Sequence, residues 1–331
     1  MTLPAPLPWH TAQWSRLAAA RDADRLPHAL LLRGIQGLGK GLFARRLAAS
    51  LLCTAPTASS AACGECAACR LVAAGNHPDL HRLAPEEPGR AIKIDAVREL
   101  VSKSVLSAQP DCHRVFIIEP AEAMNRAAAN ALLKTLEEPV TRTAMVLVSS
   151  NPDRLPGTVR SRCQQVTFGV PPADDAIAWL APRVEAGSPR ALLQIAGGAP
   201  LRALTAAAED WLGQDAGLAG ELAALRQRER NPLQVVEKWE EQPLANVISG
   251  LKRLTADLVR LQSGAAHVDL CHAESRAELQ ALCEGLDLRG LILFTDDLND
   301  ADRAMFNNAN AQMTLEHLVN RWLQLTRRGG R

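Results

Sequence analysis

No apolar run in the chain approaches the roughly 18 residues of a membrane-spanning helix, which argues against a helical anchor and against a membrane partner. The opening MTLPAPLPWHTAQW has neither a basic n-region nor a hydrophobic h-region, so the expectation is a cytoplasmic protein. Net charge is nearly absent too: 37 Lys and Arg against 36 Asp and Glu leave +1. That balance hides an asymmetry. Up to Phe168 there are 20 basic and 14 acidic residues, and beyond it 17 and 22, so the front half suits phosphates better than the back. The basic residues form no run, which weighs against a module that grips DNA by itself. No internal repeat is evident, and the Ala-rich TAPTASSAA at 54–62 reads as a flexible loop.

What is present suffices for large cores: 331 residues, 47% of them hydrophobic, suggest two or three domains. The segments at 29–34, 114–120, 144–150 and 165–170 are short and continuously apolar, as strands covered on both faces are. Helical patterns lie between them: GKGLFARRLAASLL, DAVRELVSKSVL, and AEAMNRAAANALLKTLEEP, which Pro139 brings to a stop. Such alternation predicts a parallel sheet with helices on both faces, an α/β domain over 1–168. Beyond it strand signals fade. A short helical unit over 169–207 contains AGGAP, and long amphipathic stretches over 208–331 read as an all-α domain.

Three constellations carry chemistry. The first is LLLRGIQGLGKGLF, where Gly34, Gly39 and Lys40 keep the G-x-x-x-x-G-K spacing of a phosphate-cradling loop, with Gly37 between them. The next position, where such loops place the hydroxyl that ligates magnesium, holds Gly41. A hydrolysing site also needs a carboxylate at the end of a neighbouring strand and a base beside it. In RVFIIEPAEAM the carboxylate position holds Glu119 and the base position holds Pro120, which accepts no proton. The plainer alternatives are a Gly-rich turn with a solvated lysine and a buried strand ending in a turn.

The second constellation is Cys53, Cys63, Cys66 and Cys69, spaced C-x9-C-x2-C-x2-C. Four thiolates so close can complete a tetrahedral shell around a structural zinc over 53–69, with no open position for water; an iron-sulfur cluster or unligated thiols are the alternatives. The other four cysteines, Cys112, Cys163, Cys271 and Cys283, read as ordinary buried thiols. The third constellation is SSNPDRLPGTVRSRCQQVTF, which sets Arg160 and Arg162 just before a strand at the sheet edge. A guanidinium there can complete a neighbouring subunit's phosphate site in trans, or it is simply solvated.

In order along the chain, GIQGLGKG, the four cysteines, NHPDL, ANALLKTLEEP and LPGTVRSRC closely resemble the clamp-loader subunits of bacterial DNA polymerase III, members of the AAA+ superfamily. The resemblance is very specific through Phe168, moderate through the helical lid and weak beyond. It implies a AAA+ P-loop sheet with an inserted zinc module, a small lid and a C-terminal helical collar for oligomerisation. Motor subunits of that family, gamma and tau, keep a complete G-K-T loop and a D-E pair. Gly41, Glu119 and Pro120 make this chain look like the stator that lost them, while Lys40 leaves ATP binding without turnover open. Ser161, Arg162 and Cys163 match the family's S-R-C motif, whose arginine finger reaches ATP on the adjacent motor subunit. Motor lids resemble G-S-x-R-x-A-L; here GAPLRAL puts Leu201 in the arginine's place and Arg202 one position late. The implied setting is a five-subunit loader with the gamma/tau motors and a delta subunit, acting on the sliding clamp and, through the complex, on primed DNA. It implies no own enzymatic chemistry but membership of the DNA-directed DNA polymerase holoenzyme, the alternatives being a gamma/tau-like ATPase or a zinc-dependent DNA-binding module.

Overall fold

Three of the five strands are buried almost throughout, which is why they read as unbroken apolar runs. The computed structural model describes residues 3–57, 59–87, 89–105, 113–138, 140–264, 270–305 and 310–328; Cys112 and the helix stop at Pro139 lie outside the described residues. The chain forms two compact units, residues 1–171 and 172–331.

The first unit runs α1 (Thr11–Asp22), β1 (Ala29–Arg33), α2 (Lys40–Leu52), α3 (Ala67–Ala74), β2 (Leu80–Leu83), α4 (Ile94–Val105), β3 (Arg114–Ile118), α5 (Arg126–Glu137), β4 (Thr143–Ser149), α6 (Gly157–Arg160) and β5 (Gln164–Thr167). All pairings are parallel, in the order β2-β3-β4-β1-β5. Strand β2, absent from the sequence reading, pairs only with β3; as a four-residue edge strand with His81 and Arg82 at its centre it has no apolar run to betray it. The order also corrects one expectation: β3, which leads to Glu119, is not the neighbour of β1, because β4 inserts between them.

Local chemistry sets the helix bounds. The expected helix over AEAMNRAAANALLKTLEEP is divided: a 3-10 turn occupies Ala121–Ala123, and Asn125 then caps α5 by accepting from the Ala128 N–H at 2.8 Å. The helix ends at Glu137, and Glu138, the residue before a proline, leaves the helical region at φ −123°, ψ 75°. Within the 54–62 stretch Ser60 is tied to its surroundings. Ser60 is buried, its hydroxyl donates to the Asp22 carboxylate, and its carbonyl accepts from Arg21 at 3.0 Å and Ser50 at 2.5 Å.

The second unit comprises α7 (Ala173–Leu180), α8 (Pro189–Ile195), α9 (Pro200–Ala208), α10 (Trp211–Gln227), α11 (Pro232–Glu240), α12 (Leu244–Gln262), α13 (Arg276–Cys283), α14 (Leu288–Met305) and α15 (Ala311–Arg328), with no strand among the described residues. Among the described residues it has two hydrophobic clusters. Leu180, Leu192, Ile195 and Ala203 gather α7 to α9, whereas Trp239, Leu251, Leu258, Phe294 and Trp322 gather α10 to α15. Cys163 and Cys283 are buried as expected, but Cys271 is only half-buried. It lies beside a knot of charge. His272 bridges Asp257 through Nδ1 at 2.8 Å and Asp215 through Nε2 at 2.9 Å; Arg253 donates twice to Asp215, at 2.7 and 2.8 Å. Both carboxylates are almost fully buried, so each ionic partner offsets a large desolvation cost. Burial pulls the His272 pKa down, but the hydrogen bonds its ring donates to the two aspartates, and their charges, outweigh it and push it up to about 9.

Candidate functional site

The glycine-rich loop leaves the carboxyl end of β1 and opens α2, so α2's first N–H groups and its dipole face whatever the loop encloses. Its backbone needs glycine. Gly34 has φ +151° and a Cβ there would meet the Phe168 carbonyl oxygen at 2.4 Å, while Gly37 and Gly39 sit at φ +86° and +82°. Two N-terminal side chains that sequence reasoning passed over hold this turn from outside: Trp9 Nε1 and His10 Nε2 both donate to the Leu38 carbonyl, at 2.9 and 2.8 Å. Both fall in a segment read only for a leader signal.

Lys40 is 4% exposed and turned inward, its Nζ donating to the Ile35 carbonyl at 2.7 Å and to Ser150 Oγ, beyond β4, at 3.1 Å. Desolvation depresses its pKa to about 8 although the charges of Glu122 and Glu119 work against the shift. Glu122 is another residue missed in the sequence. Its Oε1 accepts from the backbone of Ser150 at 2.8 Å and Asn151 at 3.0 Å, pinning the end of β4, while Oε2 and the Ser149 hydroxyl are buried without a partner among the described residues.

Gly41 and Glu119 meet directly, although Glu119 follows the more distant strand. A Cβ built on Gly41 would lie 1.9 Å from Glu119 Oε1 and 2.6 Å from its Cδ and Oε2. The glutamate therefore occupies the volume that a Ser or Thr side chain would need at position 41. The loop retains groups that can cradle an anion, but this arrangement has neither a hydroxyl ligand nor, with Pro120 following Glu119, a side-chain base at that position.

The four cysteines converge as the spacing predicts. Cys53 ends α2, Cys66 caps α3, and their Sγ atoms with those of Cys63 and Cys69 lie within 4.8 Å of one another. Separations of 3.6 Å for Cys53–Cys63 and 3.9 Å for Cys53–Cys66 and Cys63–Cys69 are close to the edge of a tetrahedron with about 2.3 Å metal–sulfur bonds, about 3.8 Å. Backbone N–H groups of Cys63, Cys66 and Cys69 donate to the sulfurs of Cys53, Cys63 and Cys66, at 3.3 to 3.4 Å, as such sites require to stabilise thiolates. Burial alone raises the Cys66 pKa, yet hydrogen bonds from the Thr54 hydroxyl and from the amides of Cys69 and Thr54 bring it down to about 5, whereas burial and neighbouring thiols push Cys69 up to about 12. The donor set fits one tetrahedral zinc ion.

Arg162 lies in the turn between α6 and edge strand β5. Its Nη1 donates to the Thr158 carbonyl at 2.9 Å and its Nη2 pairs with Glu137 Oε1 at 2.5 Å, with about a third of the side chain exposed. Arg160 pairs instead with Asp153 at 2.5 Å. In the second unit Arg202 stacks over Trp211 at 5.2 Å, and Arg253 packs over the same ring at 4.6 Å.

Residues 9–172 match the family described as DNA polymerase III, delta subunit, and residues 216–324 match DNA polymerase III, delta subunit, C terminal. DNA polymerase III subunit delta' of Pseudomonas aeruginosa is 37% identical over 323 residues, 96% of this chain and 97% of that protein. The Escherichia coli subunit of the same name is 38% identical over 201 residues, covering 57% of this chain and 60% of its own length. Subunit tau/gamma of Haemophilus influenzae is 34% identical over 149 residues, which span 45% of this chain but 21% of that protein. With similarity to a delta' subunit sustained from end to end, the chain belongs to the DNA polymerase III subunit delta' family.

Proposed function

We propose that the chain is the stator subunit of a DNA polymerase III clamp loader: it hydrolyses no ATP itself and offers Arg162 to the nucleotide of an adjacent tau/gamma-type motor. The observation that carries this reading is the Glu119 carboxylate lying where a magnesium-ligating side chain at position 41 would stand. Pro120 removes the base as well, so Gly34, Gly37, Gly39 and Lys40 act as scaffold, with at most weak nucleotide binding. The zinc held by Cys53, Cys63, Cys66 and Cys69 is structural, stapling residues 53–69, and has no part in the reaction. Residues 169–207 serve as lid and 208–331 as collar. Arg202, engaged with Trp211, supports the view that the lid has given up its own-site arginine. In the cytoplasm the partners are the motor subunits and a delta subunit, in a five-membered ring that opens the sliding clamp and places it on primed DNA. That no described helix is long and apolar enough to cross a membrane accords with this setting.

Arg162 suits the trans role because it stays ionised and carries a planar fork of donors at an exposed sheet edge. The test is an Arg162→Ala subunit assembled into the complete loader. Clamp-stimulated ATP hydrolysis and clamp loading should fall while zinc content and assembly persist. Arginine fingers are worth about 10³ to 10⁵ at a site wholly dependent on one, and the whole complex loses less because one site of several is affected. Arg162→Lys should rescue poorly, lacking the fork, and Arg160→Ala should do much less. Loading at the parental rate with Arg162→Ala overturns the proposal. Magnesium-dependent turnover by the isolated chain, abolished by Lys40→Ala, favours the autonomous ATPase instead.

A further inference from the structure

Glu137 is poorly placed for helix stability. It is the last residue of α5, where a carboxylate opposes the helix dipole. Its pair with Arg162 is also a poor stabiliser of the fold, because 49% of the glutamate side chain and 35% of the arginine are exposed and such pairs are largely screened. What the pair does achieve is geometric. Arg162 is a long side chain with many rotamers at the surface, yet it is held by two anchors from separate elements, the Thr158 carbonyl in α6 at 2.9 Å and Glu137 Oε1 at the end of α5 at 2.5 Å. Those anchors use two of the five N–H donors of the guanidinium and leave the others for a phosphate oxygen. Arg160, two residues earlier, is held by Asp153 on its own chain segment and makes no side-chain hydrogen bond or ion pair with α5 among the described residues.

We propose that Glu137 is the positioning residue of Arg162: it fixes the guanidinium at the edge of β5 before the motor subunit docks, so that the arginine's freedom is lost on folding and not in each catalytic encounter. This inference rests on the trans-finger reading of Arg162. It assigns Glu137 an effect on turnover in the neighbouring subunit although it touches no nucleotide there.

The experiment compares reconstituted loaders carrying Glu137→Gln, Glu137→Ala, Arg162→Ala and the Glu137→Ala/Arg162→Ala double variant. Clamp-stimulated ATP hydrolysis and thermal stability are measured for each. Glu137→Ala should lower kcat with KM for ATP unchanged, by about three- to thirtyfold at the affected site, the range expected when the rotamer freedom of one arginine is restored. Glu137→Gln, which keeps a neutral acceptor, should lose less. Thermal stability of all variants should match the parent, and the double variant should be no slower than Arg162→Ala alone. If Arg162→Ala leaves hydrolysis unchanged, the finger reading itself falls and this inference with it. If Arg162→Ala slows hydrolysis but Glu137→Ala runs at the parental rate or faster, the finger stands and the positioning role is overturned. A double variant slower than Arg162→Ala shows that Glu137 acts by another route, which also overturns it.

Discussion

Placing a side chain at position 41 tests whether Gly41 and Glu119 form a single adaptation. A Cβ would stand 1.9 Å from Glu119 Oε1, a separation no real pair of atoms tolerates, so the carboxylate must swing aside. It is the far end of a flexible side chain, and the displacement costs about 0.5–1.5 kcal/mol, the penalty of leaving a rotamer well. Against this, alanine in place of glycine within a helix contributes about 0.5–1 kcal/mol. Gly41→Ala alone should therefore be near neutral. In a Glu119→Ala background the obstacle is gone and the same substitution should stabilise, giving a coupling energy of roughly 1 kcal/mol between two residues in contact. Hydrogen exchange of the slowest α2 amides is the suitable assay, because it reports on the first unit without requiring the whole chain to unfold in one step. Additivity of the two substitutions to within about 0.3 kcal/mol refutes the reasoning. By the same argument Gly41→Thr alone should restore no magnesium-dependent hydrolysis.

Two further expectations concern the rest of the molecule. His272, with its pKa pushed up to about 9 from the ordinary imidazole value of about 6.5, stabilises the fold fully below pH about 6.5 and loses that contribution as pH rises through about 9, about 3 kcal/mol in all. The stability difference between parent and His272→Asn should shrink over that window, the subtraction cancelling Lys40 and Cys66, whose lowered pKa values act in the opposite sense; a constant difference from pH 6.5 to 9 counts against the bridge. Metal analysis of freshly purified, reduced protein should find about one zinc per chain, lost in Cys66→Ser with loosening of residues 53–69, since structural zinc contributes on the order of 10 kcal/mol in small modules. Finding no zinc in the parent protein refutes the site.

The sequence made the central sheet and the cysteine site legible for different reasons. Strands buried on both faces, such as β3 and β4, leave unbroken apolar runs, and four cysteines crowded into 17 residues leave a spacing. Strand β2 and the insertion of β4 beside β1 leave neither, because edge pairing and strand order are decided by partners far along the chain. The charge knot is hidden likewise: His272 lies 57 residues from Asp215 and 15 from Asp257, and aspartates in amphipathic helices look like parts of solvated faces. Read along the chain, Gly41 and Glu119 are two separate departures from the motor pattern that the sequence resembles. In space they are one packing unit, in which the Glu119 carboxylate occupies the volume that a side chain at position 41 would need.

That contact, with the way the loop is held, explains how the glycine-rich loop is kept in place without a metal ligand at position 41. Gly34 cannot be exchanged without striking the Phe168 carbonyl, and Leu38 between the loop glycines receives the Trp9 and His10 hydrogen bonds. His10, Phe43 and Phe168 then close edge-to-face at 5.0 to 5.4 Å around the start of α2. Lys40 is similarly committed, since its ammonium satisfies the Ile35 carbonyl and ties α2 to the end of β4 through Ser150. Each of these residues has a part in folding whether or not a phosphate ever binds. A hydroxyl at position 41 and a shorter carboxylate at position 119 would have work to do only around a magnesium ion. On the proposed stator reading, the contacts of folding keep the loop in place without a magnesium ion, and Glu119 packs over Gly41.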